Sequence, residues 1–238
     1  MNHSIKDPTK RTSWQMFDRI AATYDPVNRL LSFGLDRKWR EKVNSLLPKK
    51  SDIRLLDLAT GTADQILMLC KINSNIGPSI GMDLSEGMLE KGREKVRQQG
   101  RDQQIELRTG DAVELPLDDE SFDAITMSFG IRNVPDVPAA LREMVRVLRP
   151  GAKSLILEFS LPKNPLIRAG HLFYLRYVLP AVGGIISGDY QAYKYLNTSI
   201  EAFPYGDDFC SLLTDSGFKQ VKHHPVTFGI ATVYEATK

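Results

Sequence analysis

The chain of 238 residues holds only two cysteines, Cys70 and Cys210. Each lies in a helical stretch, which excludes a disulfide framework and reads as two buried thiols in a reducing compartment. An excess of one charge is also lacking: 31 Lys and Arg against 29 Asp and Glu leave a formal net charge of +2, which gives no case for a nucleic-acid partner. No apolar run near the N-terminus precedes a cleavage site, so no export is expected. The most apolar stretch, Leu172 to Ile186, is too short for a membrane span and is interrupted by Arg176, Pro180 and the pair Gly183-Gly184. Internal repeats, low-complexity segments and a GxGxxG phosphate fingerprint are all missing.

What is present describes a soluble globular protein: 42% hydrophobic and 25% charged residues, a length that suits one domain with a single core. Charge is uneven along it. Residues 1–50 carry eleven Lys/Arg and five Asp/Glu, a net of +6, which leaves −4 for the rest. A basic, amphipathic arm of this kind suits either an acidic membrane surface or a plainly solvated helix face.

The stretch Arg54 to Asp64, RLLDLATGTAD, organises the remainder. Arg54 to Leu58 reads as a short apolar strand, Thr60-Gly61-Thr62 as a tight turn, and the residues from Ala63 onward as a helix. This geometry brings backbone N–H groups up to a ligand. Asp57 closes the strand, where its carboxylate can steady the turn. Ser79 to Met82 reads as the next strand, and Asp83 ends it, 22 residues after Gly61. An acid there can accept both hydroxyls of a ribose. With no phosphate fingerprint, and with Asp64 placing a negative charge where a pyrophosphate would sit, the pattern points to a nucleoside without phosphates, of which S-adenosylmethionine is the commonest. An ordinary turn between strand and helix would look similar.

In order, residues 1–12 read as loose and Ser13 as the N-cap of an arm helix bearing Trp14, Phe17 and Ile20. Pro26 interrupts that helix. Leu30, Leu31, Phe33 and Leu35 form an apolar patch, and Arg37 to Leu47 a second helix. The arm suits a lid over a site or a cap on the sheet. Beyond Asp83, helices at 86–99 and 139–148 alternate with strands at 105–108, 122–127 and 154–159, with Pro150-Gly151 as a stop. Such alternation means an α/β fold with a parallel, doubly wound sheet and sites at the strand C-terminal ends. Residues 160–206 break the rhythm as a helical insertion. The last helix, 207–216, precedes two strands joined at His224-Pro225.

On these residues the chain resembles a known family. DLATGTAD (57–64), the acid Asp83, GDAVELPL (110–117) and the terminal strand pair are similar to the seven-strand, Rossmann-like class I S-adenosylmethionine-dependent methyltransferases. TYDPVNRLLSFGLDRKW (23–39), FGIRNV (129–134), RVLRPG (146–151), LEFSLP (157–162) and DYQAYKYLNTSI (189–200) resemble the UbiE/MenG quinone C-methyltransferases. The resemblance spans about residues 14–238. It implies one methyltransferase domain, divided into an N-terminal helical lid (1–50), a cofactor-binding core (51–159), a substrate-side insertion (160–206), and a terminal helix with an antiparallel hairpin (207–238).

The resemblance also implies residue roles. Gly61, Thr62 and Asp57 belong to the cofactor turn, Asp83 to the ribose, Asp111 and Ala112 to the adenine, and Ser128 to the sulfonium end. Arg132 and Asn133 match the family's active-site pair. Where most members carry glycine, this chain has Thr60 and Ala63, and Thr60 is expected to narrow the turn. The implied reaction is methylation of a ring carbon in a prenylated hydroquinone, either demethylmenaquinol or the equivalent ubiquinone precursor, with S-adenosylhomocysteine as product and no metal. Implied partners are the quinol, a membrane surface touched shallowly by a cytoplasmic protein, and a second copy or a quinone-biosynthesis complex.

Carbon methylation needs the ring deprotonated and aligned with the methyl group, away from water. A guanidinium is a poor base, so Arg132 is expected to hold a phenolate with Asn133 beside it. Tyr24, Asp25 and His171 are candidates for proton relay. Competing readings are a methyltransferase for another small molecule, a nicotinamide-dependent oxidoreductase and a non-catalytic quinone-binding scaffold. Comparing S-adenosylhomocysteine with NAD in a thermal-shift assay separates the second, and a turnover assay the third.

Overall fold

A computed structural model of the chain describes residues 10 and 12–238; the stretch 1–12 read as loose lies, but for Lys10 and Thr12, outside them. Strands β1 (Ile53–Leu58), β2 (Ile76–Asp83), β3 (Ile105–Thr109), β4 (Phe122–Ser128), β5 (Leu148–Phe159), β6 (Lys219–Val226) and β7 (Ala231–Thr237) form one sheet in the order β3-β2-β1-β4-β5-β7-β6. β1 to β5 pair in parallel, the chain returning through a helix after β1, β2 and β4 and through a loop after β3, and β7 runs antiparallel to both neighbours. Strand order reverses between β1 and β4. In such sheets the crevice beyond the strand ends at the reversal is where ligands bind.

Helices cover both faces. Trp39 and Val43 of α3 (Leu35–Leu46), Ile66 and Leu69 of α4 (Asp64–Ile72) and Leu89 of α5 (Glu86–Gln98) pack with Leu55, Leu107 and Leu155. On the other face Leu141 and Met144 of α6 (Val137–Val147) and Phe209 and Leu213 of α10 (Asp207–Asp215) meet Leu56, Ile125 and Tyr234. Each fully buried side chain of this size is worth ~1.5–3 kcal/mol. β4 is covered on both sides, which explains its apolar run.

A third apolar cluster joins the N-terminal arm to the insertion. α1 (Ser13–Ile20) and α2 (Tyr24–Leu31) pack through Ile20, Val27 and Leu31 on Leu175, Leu179 and Tyr193 of the segment formed by α7 (Pro165–Phe173), α8 (Leu179–Ser187) and α9 (Tyr190–Ala202). A Cβ at Gly183 would lie 2.5 Å from the Tyr193 ring, so glycine is what lets α8 approach α9.

Several prolines act differently from expectation. Pro26 is the third residue of α2, in a first turn whose N–H groups lack partners anyway, so the helical break falls before Tyr24. Pro150 and Gly151 do not stop a helix: α6 ends at Val147 and β5 begins at once, with the proline at a register shift against β4. His224 and Pro225 lie within β6, a sheet edge that tolerates proline, and the turn comes at Thr227–Gly229. At the other end of the chain, Ser13 is not a cap but the first residue of α1, its hydroxyl turned to the Asn133 carbonyl. α3 begins two residues before Arg37, after Gly34 in the left-handed region (φ 71°).

The apolar insertion helix is longer than its composition suggested. Asn164 caps it by accepting from the N–H groups of Leu166 and Ile167, and helix continues to Ser187, 23 residues that by length and composition could cross a membrane. Pro180 has no N–H to return to Arg176. A widened π turn at Tyr174–Val178 absorbs the mismatch. The run is two-sided, however: His171, Leu175 and Leu179 are buried against the protein, while Leu166, Phe173, Tyr177 and Ile185 are exposed.

Candidate active site

The turn after β1 is built on Asp57. This carboxylate is buried and accepts hydrogen bonds from the hydroxyls of Thr60 (2.7 Å) and Thr126 (2.6 Å). Burial pushes it up to about 6, against the pull of those two hydrogen bonds. Thr60 therefore faces inward and does not narrow the turn. Ala59 and Ala63 both sit in the left-handed region (φ 49° and 64°), a conformation costing an L residue roughly 1–2 kcal/mol. Gly61 (φ 54°) donates its N–H to Asp83 Oδ2 at 2.9 Å, which ties the corner to the tip of β2 as the 22-residue spacing predicted. Ser85 N–H bonds the other oxygen, Oδ1, at 2.9 Å, and burial raises the Asp83 carboxyl above the usual range.

A cleft of about 630 Å³ opens here, lined by Gly61, Asp83, Asp111, Ala112 and Ser128. That is a size typical of small-molecule sites. A side-chain carbon added at Gly61 would meet nothing within 4 Å, so the glycine leaves the space free for a ligand. Asp83 and Asp111 offer acceptors to hydroxyl and amine donors and repel phosphate. The residues present thus suit an adenosine that carries a positive rather than a negative tail. Asp64 plays no part in this: its carboxylate pairs with Lys95 (2.6 Å) and Arg29 (3.8 Å), so its expected repulsion of a pyrophosphate does not hold. The two cleft acids take over that argument.

On the other side of the corner lies a chamber of about 340 Å³ with mostly apolar walls. Phe17, Tyr24, Ala59, Gly61, Ser128 and Phe129 line both spaces and form the seam between them. Trp39, Phe129 and Phe159 interlock, with ring centroids 4.5–6.1 Å apart. Tyr24 packs edge-on against Phe17, and burial raises its phenol, which keeps it protonated. The arm closes over the chamber through charge. Asp25 accepts from Thr62 Oγ1 (2.6 Å) and pairs with Lys95 (2.5 Å), while Asp18 accepts from Gly87 N–H and the Ser85 hydroxyl at the start of α5.

Arg132 and Asn133 share a short turn after β4 but face different spaces: Arg132 lines the chamber and Asn133 the cleft. Arg132 is buried and donates to Glu158 (2.7 Å) and to the Phe129 carbonyl (2.6 Å), and its Nε has no partner among the described residues. Asn133 accepts from Tyr195 of the insertion (3.1 Å). His171 also lines the chamber; burial lowers its pKa, and Nε2 has no partner among the described residues. Among the described residues no cluster of three metal-ligating side chains occurs.

Three residues of this site were not singled out from sequence. Glu158 neutralises Arg132. Its signal was a carboxylate inside an apolar strand. Gln65 and Arg40 were read only as helix residues, yet Gln65 Oε1 accepts from both Arg40 and Ser128 at 3.0 Å. No local pattern marks them.

Comparison with known proteins agrees with this geometry. Residues 6–238 match the ubiE/COQ5 methyltransferase family. The chain is 42% identical over 224 residues to a ubiquinone/menaquinone biosynthesis C-methyltransferase of Geotalea daltonii, covering 94% of this chain and 95% of that one. To a demethylmenaquinone methyltransferase of Bacteroides fragilis it is 41% identical over 226 residues, with 94% and 91% covered. The fold is shared with SAM-dependent methyltransferase structures from Thermotoga maritima (22% identity, TM-score 0.68, 94% and 99% covered) and Aquifex aeolicus (21%, 0.59, 83% and 88%). The corner, the cleft and the chamber are therefore those of a protein that belongs to the ubiE/COQ5 methyltransferase family.

Proposed function

We propose that the methyl acceptor is a prenylated hydroquinone, with demethylmenaquinol as the substrate and the corresponding ubiquinone precursor as the alternative. The reaction class follows from the family: S-adenosylmethionine-dependent C-methylation in quinone biosynthesis. One observation carries the acceptor: an apolar, aromatic chamber meets the adenosine-type cleft at a single seam, Tyr24–Gly61–Ser128–Phe129.

S-adenosylmethionine supplies an electrophilic methyl on a positively charged sulfur. The protein supplies the rest. Asp83 takes the ribose hydroxyls, Asp111 and Ala112 the adenine edge, and Thr62 and Ser128 frame the sulfur end. Trp39, Phe129 and Phe159 hold the acceptor ring flat, and the closed arm keeps water out. The Nε–H of Arg132, without a partner among the described residues, is the donor for the phenolic oxygen, with Asn133 fixing the same turn. His171, neutral and unpartnered among the described residues, takes the phenolic proton. After methyl transfer the hydrogen of the methylated ring carbon leaves as a proton and returns to the phenolic oxygen, which restores the aromatic ring. Tyr24 stays protonated and serves as a donor.

The isoprenoid tail leaves past the insertion helix. Its outer side, Leu166, Phe173, Tyr177 and Ile185, is exposed and continues to Phe33 through the Phe33–Tyr174 ring pair (5.9 Å). This side rests on the membrane surface. Leu172 packs inward on the third cluster and takes no part. The test is mass spectrometry of products from demethylated naphthoquinol and benzoquinol acceptors with labelled S-adenosylmethionine. Methyl incorporation into neither ring sinks the proposal. Unchanged liposome flotation in Phe173→Ser/Ile185→Ser sinks the membrane contact.

A further inference from the structure

Among the described residues three guanidiniums line the chamber, and two have acidic partners. Arg29 meets Asp36 (3.3 Å) and Asp64 (3.8 Å), and Arg132 meets Glu158 (2.7 Å). Arg40 differs: among the described residues no carboxylate lies within ion-pair distance of it. Its Nη1 donates to the amide oxygen of Gln65 at 3.0 Å, it lies 5.9 Å from the centre of the Phe129 ring, and its Nε is buried without an acceptor.

Gln65 repeats the pattern. Its side chain is buried, at 2% exposure, and its oxygen is saturated by Arg40 and Ser128. Among the described residues its Nε2 has no acceptor. A buried donor left unpaired costs about 1–3 kcal/mol, so a native fold seldom keeps one without a use. Here an amide N–H and a guanidinium N–H, both without acceptors among the described residues, and a positive charge with no carboxylate in ion-pair distance share one wall. Their complement is an oxyanion.

We infer that Arg40 and Gln65 hold the α-carboxylate of the S-adenosylmethionine amino-acid arm. The inference rests on the cofactor assignment made above. An adenosine with its ribose on Asp83 has Gly61 at its sulfur end, and the arm then passes the corner onto the chamber side. Gln65 stands there, one helical turn beyond the corner and tied to Ser128 at the seam. Arg132 and His171, the groups assigned to the acceptor, come from the turn after β4 and from the insertion instead. Arg40 and Gln65 therefore read the amino-acid end of the cofactor and set preference for the whole molecule over its adenosine half.

Calorimetry with two ligands tests this. S-adenosylhomocysteine has the carboxylate, and 5′-methylthioadenosine lacks the amino-acid arm. Arg40→Gln is expected to weaken S-adenosylhomocysteine by about ten- to a hundredfold, the size of a lost charged hydrogen bond, and to leave methylthioadenosine unchanged. Gln65→Glu places a carboxylate against Arg40 and gives the same selective loss, while Arg40→Lys restores most of the affinity. Equal loss for both ligands, or none for either, overturns the inference, as does unchanged cofactor affinity with a raised KM for the quinol. If wild-type protein binds neither ligand, the cofactor assignment itself fails, so the two failures are distinguishable.

Discussion

Arg132 and Glu158 give the sharpest test of how the site is held together. Their side chains are 4% and 1% exposed, and they meet at 2.7 Å. Glu158 also accepts from the Phe159 N–H at 2.8 Å, and Arg132 bonds the Phe129 carbonyl at 2.6 Å. Neutralising one partner strands a buried charge. Glu158→Gln, which keeps the shape, and Arg132→Met, which keeps the volume, should each cost roughly 3–5 kcal/mol. Removing both charges costs no more than about 2 kcal/mol, because a buried pair exchanged for neutral groups of similar size is often near neutral. The double-mutant cycle should then depart from additivity by about 4 kcal/mol or more. Urea denaturation of the four proteins without ligand measures this. Single variants that each lose under about 1 kcal/mol, or an additive cycle, refute the reasoning. The cycle also isolates the catalytic role. Arg132→Met that remains folded should bind S-adenosylhomocysteine within about threefold of wild type yet lose turnover, the signature of an interaction made to the acceptor.

Asp57 supplies a pH test. Its folded-state value, about 6, lies above the ordinary 3.8, so the native state holds the proton more tightly. The resulting stability is full below about pH 4 and is lost as pH rises through 6, about 3 kcal/mol in all. Asp57→Asn should flatten that decline, seen as a wild-type-minus-variant difference in Cm across pH 4–7; parallel curves would contradict it. For His171, whose pKa is lowered, the active form is neutral. Turnover should fall as pH drops below the ordinary histidine range near 6.5, and His171→Gln should remove that limb of the pH–rate profile along with most of kcat. Gly61→Ala puts a methyl into the cleft at φ 54°. It should destabilise by about 1–2 kcal/mol and weaken S-adenosylhomocysteine by more than that loss of stability explains, as calorimetry would show.

How much of this was legible beforehand differs by the range of the interaction. The strand, turn and helix around Asp57 and Gly61, and the acid at the end of the second strand, follow from spacing, because a turn and its flanking periodicity are local properties. The corner closes as expected, with Gly61 on Asp83. The alternation of strand and helix likewise dictated a parallel sheet. Prolines were harder to read. Pro150 and Pro225 looked like stops, but a register shift and a sheet edge, both known only once strands are paired, make room for them inside strands.

By itself the sequence determined the element order, the nucleoside corner and, through resemblance, the reaction. Tertiary structure alone decided which charges are neutralised. Glu158 finds Arg132 across 26 positions, Asp64 is taken up by Lys95 across 31, and Arg40 reaches Gln65 across 25 with no carboxylate among the described residues in ion-pair distance. Charge pairing depends on distances of a few ångströms between residues brought together by sheet order, and nothing in a local pattern of residue types encodes those distances.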